Sequence, residues 1–377
     1  MRVLSLNAYT MGHVTHQNVL EKTFPDFFSG IDFYSLHLTD YFKKDFLARI
    51  VHLLLRQRLP VSTSRDYDFY RFRLELGNSF FTRRLLRSET RGYQPDLLHI
   101  HTQSIALLSA DLLRKIPTVI SIDCTTALLA VHHPFPASMT YRPIIALEKQ
   151  CFQRAKHVVS CSEWARQSVI RDYGISPERV THIPYGMPLD IFLEIPRSLC
   201  SHDRKPRLLF VGNDFARKGG YDLLAVYLKY FVNTCELDIV TNAAMTGIDG
   251  IDNIQVHKGV QPMSPELLHL YQNADIFVLP TREDVYGVVY IEAMAAGLPC
   301  VGTNIMAVSE LIRDGETGFT ISPGNQDALY QALGKLVADP HLRLSMGLAG
   351  RTTAIESFDA QRNCQKLLQI FSNIIAF

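Results

Sequence analysis

Paired cysteines are missing from this 377-residue chain. Its seven cysteines are scattered, odd in number and never spaced as CxxC, which argues against a disulfide framework or a zinc ribbon and for a reducing compartment. No stretch reaches the roughly 18 uncharged apolar residues that a spanning helix needs. The opening "MRVLSLNAYT" runs directly into a strand pattern, so no signal peptide is expected. A soluble, cytoplasmic chain is expected, at most peripheral on the inner face of a membrane. Net charge is also lacking: 38 Lys and Arg stand against 37 Asp and Glu. Nucleic acid is therefore not an expected partner, because no reader motif accompanies the charge. Neither GxxxxGK[ST] nor GxGxxG occurs, so P-loop kinases and dinucleotide enzymes lose their main support. There is no internal repeat and no low-complexity tract.

What is present is length and alternation. A chain of this size exceeds one typical core, and two domains are the default. Short apolar strands alternate with longer helical patterns, the signature of doubly wound α/β domains. In the first half, Val3–Leu6, Leu97–His101, Thr118–Ile122, His157–Ser160 and Val180–Ile183 read as strands, with helices at Gln103–Lys115 and Ile144–Arg154. In the second, the strands are Arg207–Val211, Leu237–Thr241, Ile254–His257, Ile276–Leu279 and Cys300–Thr303. Helices fit Gly220–Val232, Pro265–Gln272 and Gly287–Ala296. The expected division is residues 1–193, a polar linker at 194–206, a second domain at 207–356 and a terminal helix at 357–377 crossing back to the first. Ligands of parallel sheets bind at strand carboxyl ends, so the site is expected between the domains.

Two stretches carry candidate chemistry. In "DIFVLPTREDVYGVVYIEAMAAG" a buried strand runs into a loop, Gly287 permits close backbone approach, and a helix begins whose free N–H groups suit an anion. Asp284 and Glu292, being anionic themselves, suit the hydroxyl groups of a sugar or ribose instead. Asp284 as a helix cap and Glu292 on a solvated face is the alternative, and spacing leaves both open. In "LLFVGNDFARKGGYDLL" a strand ends at Gly212, and Arg217 and Lys218 precede a helix. Arg as a fork and Lys as a point charge would suit a diphosphate; a solvated surface turn is the plainer reading.

Together with "SELIRDGETGFTISPGNQDALYQAL", these stretches resemble the donor-binding region of glycosyltransferase family 4, whose members have the GT-B fold. The resemblance extends over roughly Pro95 to Phe358, through "PDLLHIHTQ", "ALEKQCFQRAKHVVSCSEWARQSVIRDYGI" and "SPERVTHIPYGMPLDIF". It implies two Rossmann-like domains facing across a cleft. The implied activity is retaining hexose transfer from a nucleotide-diphosphate sugar to a glycan, lipid-linked or small-molecule acceptor, without metal or other cofactor. By that resemblance Glu292 holds the donor ribose and Asp284 the hexose hydroxyls, with Glu283 as a neighbouring substitute. Gly287, Val288 and Val289 present backbone amides to sugar and diphosphate, and Lys218 contacts the diphosphate. Gly12, in "TMGH", lets a first-domain loop reach the phosphate. Gly212, Asn213 and Gly259 belong to the donor loops.

This chain also departs from the family pattern. Asp284 stands where a Glu is usual, and Asn213 replaces a common Arg, leaving Arg217 as the nearer cation. Asp123, in "ISIDCTT", replaces a histidine. A catalytically weak sugar-nucleotide or glycan-binding module of the same fold is therefore the alternative function. The tripeptide Asp66-Tyr67-Asp68 is a weak DxD better read as a solvated loop. His99 and His101 share a strand face and suit satisfied polar groups more than metal ligands; His132-His133 lie in a loop. Finally, Tyr41 to Gly92 holds twelve Lys and Arg against five acids. Its "FLARIVHLLLRQRL" gives an amphipathic helix with a basic rim, suited to an anionic membrane surface.

Overall fold

The structure, a computed structural model, describes residues 1–8, 13–57, 70–131, 140–197, 204–245 and 251–376. The chain forms two units, Met1–Gly186 with Ala360–Phe377, and Met187–Asp359.

In the first unit, β1 (Arg2–Asn7), β2 (Asp32–His37), β3 (Leu97–His101), β4 (Thr118–Ile122), β5 (His157–Ser160) and β6 (Val180–His182) form one sheet. Their order is β2-β1-β3-β4-β5-β6, and every pairing is parallel. The helices between them are α1 (His13–Phe27), α2 (Leu38–Lys44), α3 (Phe46–Leu55), α4 (Tyr70–Tyr93), α5 (Ala110–Lys115), α6 (Thr126–Val131), α7 (Arg142–Arg154) and α8 (Glu163–Arg171). The second unit begins with a short α9 (Asp190–Leu193). Its sheet runs β12-β11-β10-β7-β8-β9, again parallel. The strands are β7 (Arg207–Val211), β8 (Glu236–Val240), β9 (Ile254–His257), β10 (Ile276–Val278), β11 (Cys300–Thr303) and β12 (Gly318–Ile321). They alternate with α10 (Gly220–Tyr230), α11 (Pro265–Asn273), α12 (Val288–Ala295), α13 (Gln326–Ala338) and α14 (Pro340–Phe358). The last helix, α15 (Ala360–Ile375), belongs to the first unit.

Strands covered by helices on both faces must be apolar on both faces. In the first unit Leu4, Leu6, Leu98, Ile100, Ile120 and Ile122 feed one core cluster. Val3, Leu97 and Val119, on the opposite face of the same strands, feed another, which α1 and α15 close with Phe24, Leu367 and Phe371. This is the doubly wound, two-domain α/β architecture expected.

Several details differ from the sequence reading. Strands β2 and β12 were not anticipated: "DFYSLH" alternates weakly, and "GFTI" is very short. The expected helix Gln103–Lys115 is a single 3₁₀ turn at Gln103–Ile105 followed by the shorter α5. The cause is tertiary. Helix α4 takes the Leu108 amide on Ser79 Oγ (2.7 Å) and the Leu108 carbonyl on Arg83, so that backbone cannot also serve a helix. The stretch 194–206 does not mark the division, because the chain passes between units at 186/187 and 359/360. Residues 187–197 belong to the second unit. Phe192 is fully buried there against Tyr271, and Arg197 donates to the carbonyls of Ala296 (2.6 Å) and Ala274 (2.8 Å). Arg204 binds Asp275 through two nitrogens, at 2.7 and 2.8 Å.

Helix α12 rests on α14 where the latter presents Gly347. A Cβ there would stand 2.1 Å from the Gly297 carbonyl oxygen, a backbone atom that cannot move aside. Gly347→Val should cost about 3 kcal/mol of stability by overpacking, read as a lower denaturant midpoint at unchanged slope.

Candidate active site

In the second sheet the chain adds β8 and β9 on one side of β7, then returns to add β10 on the other. The loops leaving β7 and β10 therefore part at the point where strand order reverses, the usual ligand position in an open parallel sheet. These are the loops that carry Lys218 and Asp284.

The two loops are bound together. Lys218 Nζ forms an ion pair with Asp284 Oδ2, both side chains being largely buried. The lysine stem lies over Gly212, whose missing side chain makes the room: a Cβ there would meet Lys218 Cγ at 3.1 Å. Arg217 donates to the Glu283 carbonyl (2.7 Å) and to Asp214 Oδ2 (3.1 Å), while its own carbonyl accepts from the Arg282 amide (2.9 Å). Gly219, at φ +73°, packs against Pro280; a Cβ would fall 1.9 Å from the proline carbonyl oxygen. Two backbones approach this closely only because that residue is glycine.

Gly287 occupies the left-handed region at φ +75° and is the N-cap of α12, with no side-chain cap. Asp284 does not cap the helix; it pairs with Lys218 instead. The first amides of α12, those of Val288 and Val289, have no preceding helical carbonyl to bond. An ammonium carries three N–H donors, and Asp284 accepts one from Lys218. Glu283 is exposed.

Glu292 lies on α12 but not on a solvated face. It is 5% exposed and accepts a hydrogen bond from Tyr271 Oη at 2.8 Å. Burial pushes its carboxyl up to about 7, against the lowering effect of the tyrosine bond. Nothing in the sequence pointed to Tyr271, which lies 21 residues upstream on α11. Asn213 is exposed and accepts from the Asn242 amide (3.2 Å), and Asn242 Oδ1 accepts from the Gly259 amide (2.8 Å). Asn213 and Gly259, past the ends of β7 and β9, are thus linked through Asn242, which the sequence reading did not single out, while the Gly212 amide donates to the Val240 carbonyl (2.9 Å).

The remaining residues lie elsewhere. Asp123 is in the first unit, half-buried at the end of β4, where its Oδ1 accepts from the Cys124 amide (2.8 Å). His99 and His101 are buried and hydrogen-bonded. His99 reaches Ser5 and Ser121 (3.1 and 2.8 Å), and His101 reaches Asn7 and Tyr185 (3.1 and 2.9 Å). Gly12, Asp66, Asp68, His132 and His133 fall outside the described residues. A small, partly open cleft in the first unit is lined by His16, Ser121, Cys161, Tyr185, Asn363 and Cys364, among others. It holds none of the residues singled out above.

Residues 44–191 match the family model described as Glycosyltransferase Family 4, and residues 205–339 match the one described as Glycosyl transferases group 1. The chain belongs to glycosyltransferase family 4. It is 25% identical over 241 residues to the MMP alpha-(1->4)-mannosyltransferase of Mycolicibacterium hassiacum, a match spanning 62% of this chain and 57% of that protein. Its fold is that of solved GT-B glycosyltransferases. Sucrose-phosphate synthase from Thermosynechococcus elongatus superposes with a TM-score of 0.72 at 16% identity, covering 100% of this chain and 99% of that one. HepE from Anabaena, solved in complex with UDP-glucose, superposes with a TM-score of 0.69 at 16% identity, covering 99% and 100%. The loops after β7 and β10 both lie within residues 205–339, the span of the second match.

The buried Glu292 makes stability depend on pH. Folded, its carboxyl holds a proton up to about pH 7, against an ordinary value of 4.5. Folding therefore takes up a proton in that window, and stability falls as pH rises through it, by up to about 3 kcal/mol. Glu292→Gln should remove this component. Unfolding at pH 5 and pH 8 should show wild type losing stability relative to the variant by that amount.

Proposed function

We propose that this chain transfers a hexose, with retention of configuration, from a nucleotide-diphosphate sugar to an acceptor hydroxyl in glycan, polysaccharide or glycolipid biosynthesis. The observation that carries the reading is the meeting of Lys218 and Asp284 at the strand-order reversal, beside the N-terminus of α12. A departing diphosphate needs its growing negative charge met by groups already in place. Lys218, Arg217 and the amides of Val288 and Val289 supply such groups, so the chemistry asks for no metal. HepE, of the same fold, holds UDP-glucose.

In this reading Glu292 accepts from the donor ribose and Asp284 from the hexose, both on one side of the sugar. Glu283 is an adjacent acceptor, and Gly212, Asn213 and Gly259 shape the base and phosphate loops. Double displacement wants two carboxyls about 5 Å apart across the anomeric carbon, and no such role falls to this pair. We therefore favour front-face attack, with the leaving phosphate oxygen taking the acceptor's proton. Asp123, from the first unit, serves the acceptor side. The acceptor hydroxyl belongs to a glycan, a lipid-linked carrier or a small molecule, and a lipid-linked one would be met on the inner face of a membrane.

A thermal-shift titration with UDP, GDP, ADP and CMP sugars tests the donor site. Ligand at 100 times its dissociation constant should add about 2.7 kcal/mol of stability, for one nucleotide class above the rest. Lys218→Ala should then lower turnover by about 100-fold, the usual loss when one charge-stabilising donor is removed. Unchanged turnover would remove the diphosphate role, and a shift without any donor consumption would favour a binding module.

A further inference from the structure

Helix α3, "FLARIVHLLL", is apolar around nearly its whole circumference and has no acid in its ten residues. One side is used by the fold. Ala48 is buried in the core, Val51 packs against it, and His52 stacks on Phe42 with ring centroids 4.3 Å apart. His52 Nδ1 also meets Asn78 Oδ1 of α4 at 3.1 Å, and Leu55 occupies the space left by Gly77 of α4. The other side holds Phe46 (76% exposed), Leu47 (67%), Ile50, Leu53 and Leu54 (63%), and Phe80 of α4 is 56% exposed. The spacing i, i+1, i+4, i+7, i+8 places the five α3 residues on one stripe. Facing water, such a stripe opposes the hydrophobic effect throughout its length of about 15 Å.

The exposed charge around it is mainly positive. Lys43, Lys44, Arg49 and Arg56 are exposed on or beside the helix. Arg84 is exposed on α4 and near enough to Tyr41 and Asp45 to act on both electrostatically. Asp45 is the nearest acid, and it is engaged as the N-cap of α3, accepting from the Ala48 amide. Lys43 pairs with Asp40.

We propose that the outward face of α3 docks on an anionic lipid surface, its leucines and Phe46 entering the acyl boundary and its cations meeting lipid phosphates. An interfacial helix joins an apolar stripe to a basic rim in this way, and each cation adds to the attraction. A soluble partner protein would need an acidic rim around an apolar groove; an anionic membrane presents both chemistries over any area. This inference is independent of the donor reading, because every residue it uses lies on or directly beside α2, α3 or α4, in the first unit.

The test is co-sedimentation of the full chain with phosphatidylcholine vesicles, with and without phosphatidylglycerol. The chain should pellet with the anionic vesicles, much less with neutral ones, and less as salt rises. Leu47→Asp with Leu54→Asp should abolish pelleting. Arg49→Glu with Arg56→Glu should weaken it by at least about tenfold, with unfolding midpoints unchanged because these side chains point to solvent. No pelleting with anionic vesicles would overturn the proposal. So would pelleting that neither pair of substitutions alters, or a dimer in solution that the leucine pair dissolves. A chain that pellets but shows no nucleotide shift would keep this inference and remove the donor reading.

Discussion

The ion pair of Lys218 and Asp284 is the contact on which the organisation of the second unit turns. It joins the two loops that leave the sheet where strand order reverses, and it does so inside a largely buried environment. Neither loop could approach the other without glycine. Gly212 makes room for the lysine stem, and Gly219 allows its backbone to lie against Pro280. A charge pair held this way costs desolvation, and a burial site of this kind is retained for geometry rather than stability. The geometry obtained is a cation fixed beside a helix N-terminus, arranged before any substrate arrives.

Around this pair the acids divide by environment. Asp284 is ionically paired; Glu292 sits inside the unit, accepting from Tyr271, and burial raises its carboxyl to about 7. Asp214 is exposed, and the hydrogen bond from the Arg217 amide holds its carboxyl low. The Glu292 and Asp214 carboxyls thus shift in opposite directions because burial governs the first and hydrogen bonding the second. The first unit shows a different use of burial. Helix α3 turns one apolar face to the core and keeps the other in water, beside a basic rim.

Much of the fold was legible in residues 97–101, 118–122, 157–160 and 207–211, where continuous apolar runs bounded by turns mark strands buried on both faces. Less visible were β2 and β12. "DFYSLH" lacks a full apolar run, and "GFTI" is four residues long and opens on a glycine, Gly318, which along the sequence reads as a turn. The break in Gln103–Lys115 was invisible, because it depends on Ser79 and Arg83 of α4 binding the Leu108 backbone across nearly thirty residues of chain. The unit boundary was misplaced for a similar reason. A polar stretch resembles a linker, but Arg197 and Arg204 use that polarity to bind carbonyls and Asp275 of the second unit.

By itself the sequence determined the fold class, the pairing of two parallel-sheet units and the identity of the loops that hold Lys218, Asp284 and Gly287. Those depend on local periodicity, on glycine placement and on motif spacing, all readable along one chain. Only the tertiary structure decided that Asp284 pairs with Lys218 rather than capping α12, that Glu292 is buried on Tyr271 rather than solvated, and that half of α3 faces water. Each of these depends on which distant side chain arrives to compete for a carboxylate or to cover an apolar face. Such competition is settled by packing, and packing has no one-dimensional signature.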